Sequence, residues 1–82
     1  MKTIAIIEDN KDVRENLAEI LELSGYKCIT AENGKIGVRQ VREHKPDLIL
    51  CDVMMPELDG FGVLKILNQD PELMHIPFMF LT

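Results

Sequence analysis

Leu48-Ile49-Leu50-Cys51-Asp52-Val53-Met54-Met55-Pro56-Glu57-Leu58-Asp59-Gly60 decides the fold, because an apolar run stops at a carboxylate and then turns through proline and glycine toward a helix. Four apolar residues bounded by turn formers read as a strand covered on both faces, the arrangement of a parallel sheet with helices above and below. Open parallel sheets bind ligands at the carboxyl ends of their strands, which is where Asp52 falls. Two other runs end on the same rim. Thr3-Ile4-Ala5-Ile6-Ile7 stops at Glu8-Asp9, and Phe78-Met79-Phe80-Leu81 stops at Thr82.

Upstream of the quoted stretch, Asn33 offers a cap for a helix that carries Gly37, Val38 and Val41 inward, and Lys45-Pro46 halts it. The halt follows because a residue before proline avoids the helical region. Gly34 and Gly37 are expected to weaken this helix by up to about 1 kcal/mol each relative to alanine. Before it, Lys27-Cys28-Ile29-Thr30-Ala31 alternates and is partly polar, as an edge strand should be. Asn10 caps a first helix whose apolar positions Val13, Leu17, Ile20 and Leu21 follow a 3.6-residue period, and Ser24-Gly25 stops it. Downstream, Phe61 to Leu67 forms a third helix with Val63, Leu64 and Leu67 on one face; Asn68-Gln69-Asp70-Pro71 breaks it before the fourth strand.

Strands alternating with helices imply parallel pairing through right-handed crossovers. Helix 1 carries the chain outward to strand 2, and helix 2 returns it across strand 1 to strand 3. The strand order is therefore 2-1-3-4, with helix 1 on one face and helices 2 and 3 on the other. The reversal lies between strands 1 and 3, so Glu8, Asp9 and Asp52 border the crevice.

The chain has 82 residues, 46% of them hydrophobic, which suits one domain with a single modest core. A net charge of −5 disfavours nucleic acid and anionic membranes as direct partners. The first apolar run is too short for a secretory signal and no run could span a bilayer, so a cytoplasmic location is expected. Cys28 and Cys51 fall on strands two steps apart, about 10 Å, beyond the roughly 7 Å Cα limit of a disulfide. Free, buried thiols are expected. His44 and His75 read as solvent-facing or packing residues, and Met54, Met55, Met74 and Met79 as ordinary loop and core packing.

Two unit charges about 4 Å apart repel by about 4 kcal/mol at an effective dielectric near 20, so three clustered carboxylates call for a cation. An all-oxygen site on a solvent-facing rim suits Mg2+. The expected direct ligands are Asp9, Asp52 and the main-chain carbonyl of Met54, with Glu8 acting through water and Lys11 the nearby side-chain cation. An ionised aspartate beside magnesium is also a competent nucleophile toward phosphorus. Acidic residues at strand-to-helix junctions also serve simply as caps, and Asp59 before Gly60 reads as one.

With these residues in place, the chain resembles the receiver domain of bacterial two-component response regulators from end to end. The resemblance rests on Ile6-Ile7-Glu8-Asp9, on Lys45-Pro46-Asp47 through Pro56 with Asp59-Gly60, and on Pro77 through Thr82. It implies a flavodoxin-like α/β fold, with Asp52 as phosphoacceptor from the phosphohistidine of a sensor histidine kinase. It further implies Glu8 and Asp9 as magnesium-binding acids and Thr82 as a switch hydroxyl. Receivers continue through a further helix, a lysine-bearing strand and a last helix, so residues 1–82 read as a receiver shortened after strand 4, (βα)3β, without an output domain. A phosphorelay signalling domain rather than an enzyme is expected. The rival reading is a non-signalling fold fragment that self-associates and keeps only the acidic metal site. An aspartate-based phosphatase is weaker, since such enzymes generally want a second aspartate where Met54 stands. Phe78 to Leu81 carries no charge or proline, unlike a protected edge, and helix 1 is alone on its face. A homodimer or larger self-assembly is therefore expected.

Overall fold

Each helix starts at a short polar side chain that ends a strand-to-helix loop. Asn10 accepts the Val13 N–H at 3.1 Å, Asn33 that of Ile36 at 2.8 Å, and Asp59 that of Gly62 at 2.8 Å. These caps satisfy N–H groups that the first helical turn leaves without partners. In the computed structural model, which describes residues 1–81, the resulting order is β1 (Thr3–Ile7), α1 (Lys11–Leu23), β2 (Lys27–Ala31), α2 (Gly34–His44), β3 (Leu48–Asp52), α3 (Gly60–Asn68) and β4 (Phe78–Leu81). Thr82, expected to carry the switch hydroxyl, lies outside the described residues.

All pairings are parallel and the sheet order is β2-β1-β3-β4, as the crossover hand requires. Alternation along β1 sends Ile4 and Ile6 toward α1, and Ala5 and Ile7 toward α2 and α3. The larger core lies on the α2–α3 side, around Ile7, Val41, Ile49, Val63 and Leu67. Cys51 belongs to that core, while Cys28 packs on the α1 side. Both thiols are free; Cys51 is buried as expected, whereas Cys28 is only half-buried on the edge strand.

Packing modifies three expectations. Helix α1 meets the sheet through Ala18, the small residue that lets the helix axis come close. Its apolar stripe is consequently split, Leu17 and Leu21 packing on the sheet and Val13 and Ile20 standing 46% and 60% exposed. Gly37, expected to face inward and to weaken α2, is the point where that helix crosses β1: a Cβ there would stand 2.6 Å from Ile7 Cδ1. Of the four methionines assigned to packing, Met55 is buried, but Met54, Met74 and Met79 are largely exposed. Met79 faces away from α3 because Phe80, beside it on β4, packs at a tilt against Phe61 of that helix with centroids 4.9 Å apart.

Lys45 takes a left-handed conformation, φ 45°, and its N–H closes α2 on the Val41 carbonyl at 2.8 Å. The chain then enters β3 through Pro46. No helix of the described residues is long and apolar enough to cross a membrane.

Candidate functional site

Register brings the acidic residues together. Ile7 pairs with Cys51 across β1 and β3, so the next residue on each strand, Glu8 and Asp52, projects over the same rim. Asp52 in turn pairs with Leu81 of β4. Glu8, Asp9 and Asp52 each present a carboxylate oxygen, and these oxygens lie within 4.8 Å of one another. The three differ in exposure: Glu8 is buried, Asp52 half-buried and Asp9 exposed.

Glu8 is held on several sides. Its N–H extends the β1–β2 ladder to the Ala31 carbonyl at 3.0 Å, and its Oε2 accepts the Asn10 N–H at 3.0 Å. Burial pushes the Glu8 carboxyl above its ordinary value, and the neighbouring Asp9 and Asp52 push it further; the Asn10 N–H opposes the shift. Desolvation and like charge both penalise the ionised form. A buried glutamate crowded by two aspartates is therefore unfavourable in isolation and favourable beside a cation.

The donor set fits magnesium. Oxygens bound to one ion at about 2.1 Å lie at most about 4.2 Å apart, close to the 4.8 Å within which all three residues offer a carboxylate oxygen. Asp9 and Asp52 are the more accessible pair, and Glu8 is set back in the protein. Met54, expected to contribute its main-chain carbonyl, donates its N–H to Asp52 Oδ1 at 3.3 Å and so holds the loop after β3 at the rim.

Two features of the site escaped the reading of residue types. Lys11, expected as the nearby cation, faces solvent and pairs with Glu15 at 3.9 Å. Arg14 instead turns back along α1, its Nη1 donating to the Glu8 carbonyl at 2.8 Å and reaching the Asp9 carbonyl at 3.5 Å. Its signal in sequence was a long basic side chain one turn inside the helix that follows the acidic pair. Gly60 is the second: a Cβ there would collide with the Asp52 carbonyl oxygen, so α3 can begin against the end of β3 only with glycine at that position. Asp59 caps α3 as expected, and His44 and His75 are exposed, away from the acidic group.

An open groove of about 670 Å3 leads from the acidic residues along α1, lined by Glu8, Val13, Leu17, Ile20, Asp52 and Phe80 among others. The side chain of Asp52 is thus reachable from solvent while its backbone remains in the sheet.

Comparison with known proteins agrees with this geometry. Residues 4–82 match the response regulator receiver domain family. The polar-differentiation response regulator DivK of Brucella anthropi is 42% identical over 81 residues, covering 99% of this chain; the chain spans 66% of that relative's length. The crystal structure of the N-terminal domain of a response regulator receiver protein from Methanoculleus marisnigri superposes with a TM-score of 0.96 at 33% identity, over 100% of this chain and 67% of that one. The response regulator protein TrrA from Thermotoga maritima, crystallised in complex with Mg2+–BeF, gives a TM-score of 0.82 at 32% identity, over 88% of this chain and 63% of that one.

Proposed function

The chain belongs to the response regulator receiver domain family, and from that premise we propose that it accepts a phosphoryl group on Asp52 from the phosphohistidine of a sensor histidine kinase, with magnesium held by the neighbouring acids. What supports this reading is the convergence of Glu8, Asp9 and Asp52 within 4.8 Å at the end of β1 and β3. The uptake of Mg2+–BeF by a relative of the same fold points the same way. Asp9, Asp52 and the Met54 carbonyl are the proposed direct ligands, and Glu8 acts through water. Bound magnesium would offset the charge of the acids and orient the incoming phosphoryl oxygens.

The chain's own residues carry the transfer. A carboxylate oxygen of Asp52 forms the new P–O bond as the donor's P–N bond breaks, and the electron pair of that bond leaves with the imidazole nitrogen. The Met54 N–H on Oδ1 holds the Asp52 side chain, leaving its other oxygen for attack. Thr82, next in sequence after Leu81, is the proposed hydroxyl that answers the phosphoryl group.

Incubation with magnesium and a small phosphodonor, followed by intact-mass measurement, tests the reading. One added phosphoryl group that is lost in hydroxylamine supports it, and an unchanged mass with the fold intact overturns it. Exposed Val13, Ile20 and Met79 support the self-association proposed for this chain. Light scattering coupled to size exclusion decides that point, a monomer across the accessible range counting against it.

A further inference from the structure

Arg14 is half-buried beside an acidic site, yet among the described residues it makes no ion pair. Glu15, Glu19 and Glu22 line the same groove and offer carboxylates. The guanidinium takes main-chain carbonyls instead, those of the two consecutive residues whose side chains form the site, Glu8 at 2.8 Å and Asp9 at 3.5 Å. The Arg14 N–H closes the first helical turn on the Asn10 carbonyl at 2.9 Å. One residue therefore connects the start of α1 with all three residues of the β1–α1 loop.

Two adjacent carbonyls drawn toward one cation hold the peptide planes on either side of Asp9, and with the Glu8 N–H already anchored on the Ala31 carbonyl the directions in which both side chains leave the backbone are set. Both contacts come from Nη1, whose two N–H groups are held in the guanidinium plane, whereas the donors of an ammonium rotate freely on a flexible stem. We propose that Arg14 is a positioning residue, which preorganises the Glu8–Asp9 loop so that both carboxylates meet Asp52 around one metal ion. This rests on the magnesium-assisted phosphoacceptor reading above, and it assigns to Arg14 a role in metal affinity rather than in the transfer step.

Isothermal titration with magnesium chloride, on the wild-type chain and on Arg14→Met and Arg14→Lys, separates the two ideas. Loss of a group that orients metal ligands typically weakens binding ten- to a hundredfold, so about a tenfold rise in magnesium Kd is expected for Arg14→Met. Arg14→Lys, which keeps a cation but loses the fixed plane of donors, should show a smaller loss than Arg14→Met. In phosphodonor labelling the magnesium concentration at half-maximal rate should rise in the same order, while the rate at saturating magnesium stays near wild type. A merely structural role would not divide the two quantities in this way. Should Arg14→Met fail to fold by circular dichroism, Arg14→Lys decides alone. Variants that bind magnesium as tightly as wild type would overturn the role of Arg14. A wild-type chain that binds no magnesium would remove the site reading itself, and the role of Arg14 with it.

Discussion

Gly37 of α2 lies so close to Ile7 of β1 that an added Cβ would stand 2.6 Å from Cδ1, 2.8 Å from Cγ1 and 2.9 Å from Cγ2 of the isoleucine. Ile7 is 1% exposed and cannot move aside into solvent. Alanine would improve the helix by about 1 kcal/mol, but overpacking a filled core costs about 1–3 kcal/mol. Gly37→Ala should therefore lower stability by roughly 1 kcal/mol net, a drop of about 4–8 °C in Tm for a domain of this size. A rise in Tm would mean that α2 is free to shift off the sheet.

Asp52→Asn should abolish labelling by a phosphodonor, since the amide has no carboxylate oxygen to attack phosphorus. Gly60→Ala should slow labelling while preserving Asp52, because its Cβ displaces the Asp52 carbonyl and with it the start of α3. Intact mass against time measures both. Labelling that persists in Asp52→Asn would identify another nucleophile.

Magnesium should stabilise the protein by binding the native state alone. At about ten times its Kd the gain is about 1.4 kcal/mol. Asp9→Ala and Asp52→Ala should lose that gain, each having lost one of the three converging oxygens. A melting curve that millimolar magnesium leaves unchanged in wild type would exclude the metal site.

Glu8 sets a pH dependence whose sign follows from its raised pKa. The folded chain holds this proton more tightly than the unfolded one, so the Glu8 contribution is fully present below its ordinary value of 4.5 and is lost as pH rises through the raised value. Glu8→Gln removes that loss and keeps an oxygen for the Asn10 N–H. Without magnesium, the variant should exceed wild type in stability near neutral pH, because it has no charge to bury beside Asp9 and Asp52. The difference should vanish below pH 4.5. Urea melts at a series of pH values measure it, and a variant less stable than wild type at neutral pH would contradict the crowding of charge.

Cys51 should resist alkylation in the native protein. Its side chain is fully buried, and burial, with Asp52 next in importance, pushes the thiol up to about 12. Cys28 is also raised, by burial and by Glu22, but is half-buried at the edge. Iodoacetamide at mildly alkaline pH should therefore modify Cys28 slowly and Cys51 only after unfolding in urea. Equal rates for the two in folded protein would show that β3 opens locally.

Much of the architecture is local information. Asn10, Asn33 and Asp59 were readable as caps because each bonds a backbone N–H only three residues away. The ends of the strands were readable because each apolar run is bounded by a polar or turn-forming residue. Strand order followed from the hand of the crossovers, and together with the legible strand ends it placed Glu8, Asp9 and Asp52 on one rim; the register of Ile7 with Cys51 then made them meet. The tertiary structure decided what depends on distances between elements remote in sequence. It made Gly37 a contact rather than a weakness, turned α1 on Ala18 so that Val13 and Ile20 stayed exposed, and left Met79 on the outer side of β4. It also carried Arg14, rather than Lys11, to the acidic loop. Periodicity says which residues share a face, but the rotation of a helix about its axis, and the reach of one side chain to one carbonyl, depend on packing separations of a few tenths of an ångström that no single segment encodes.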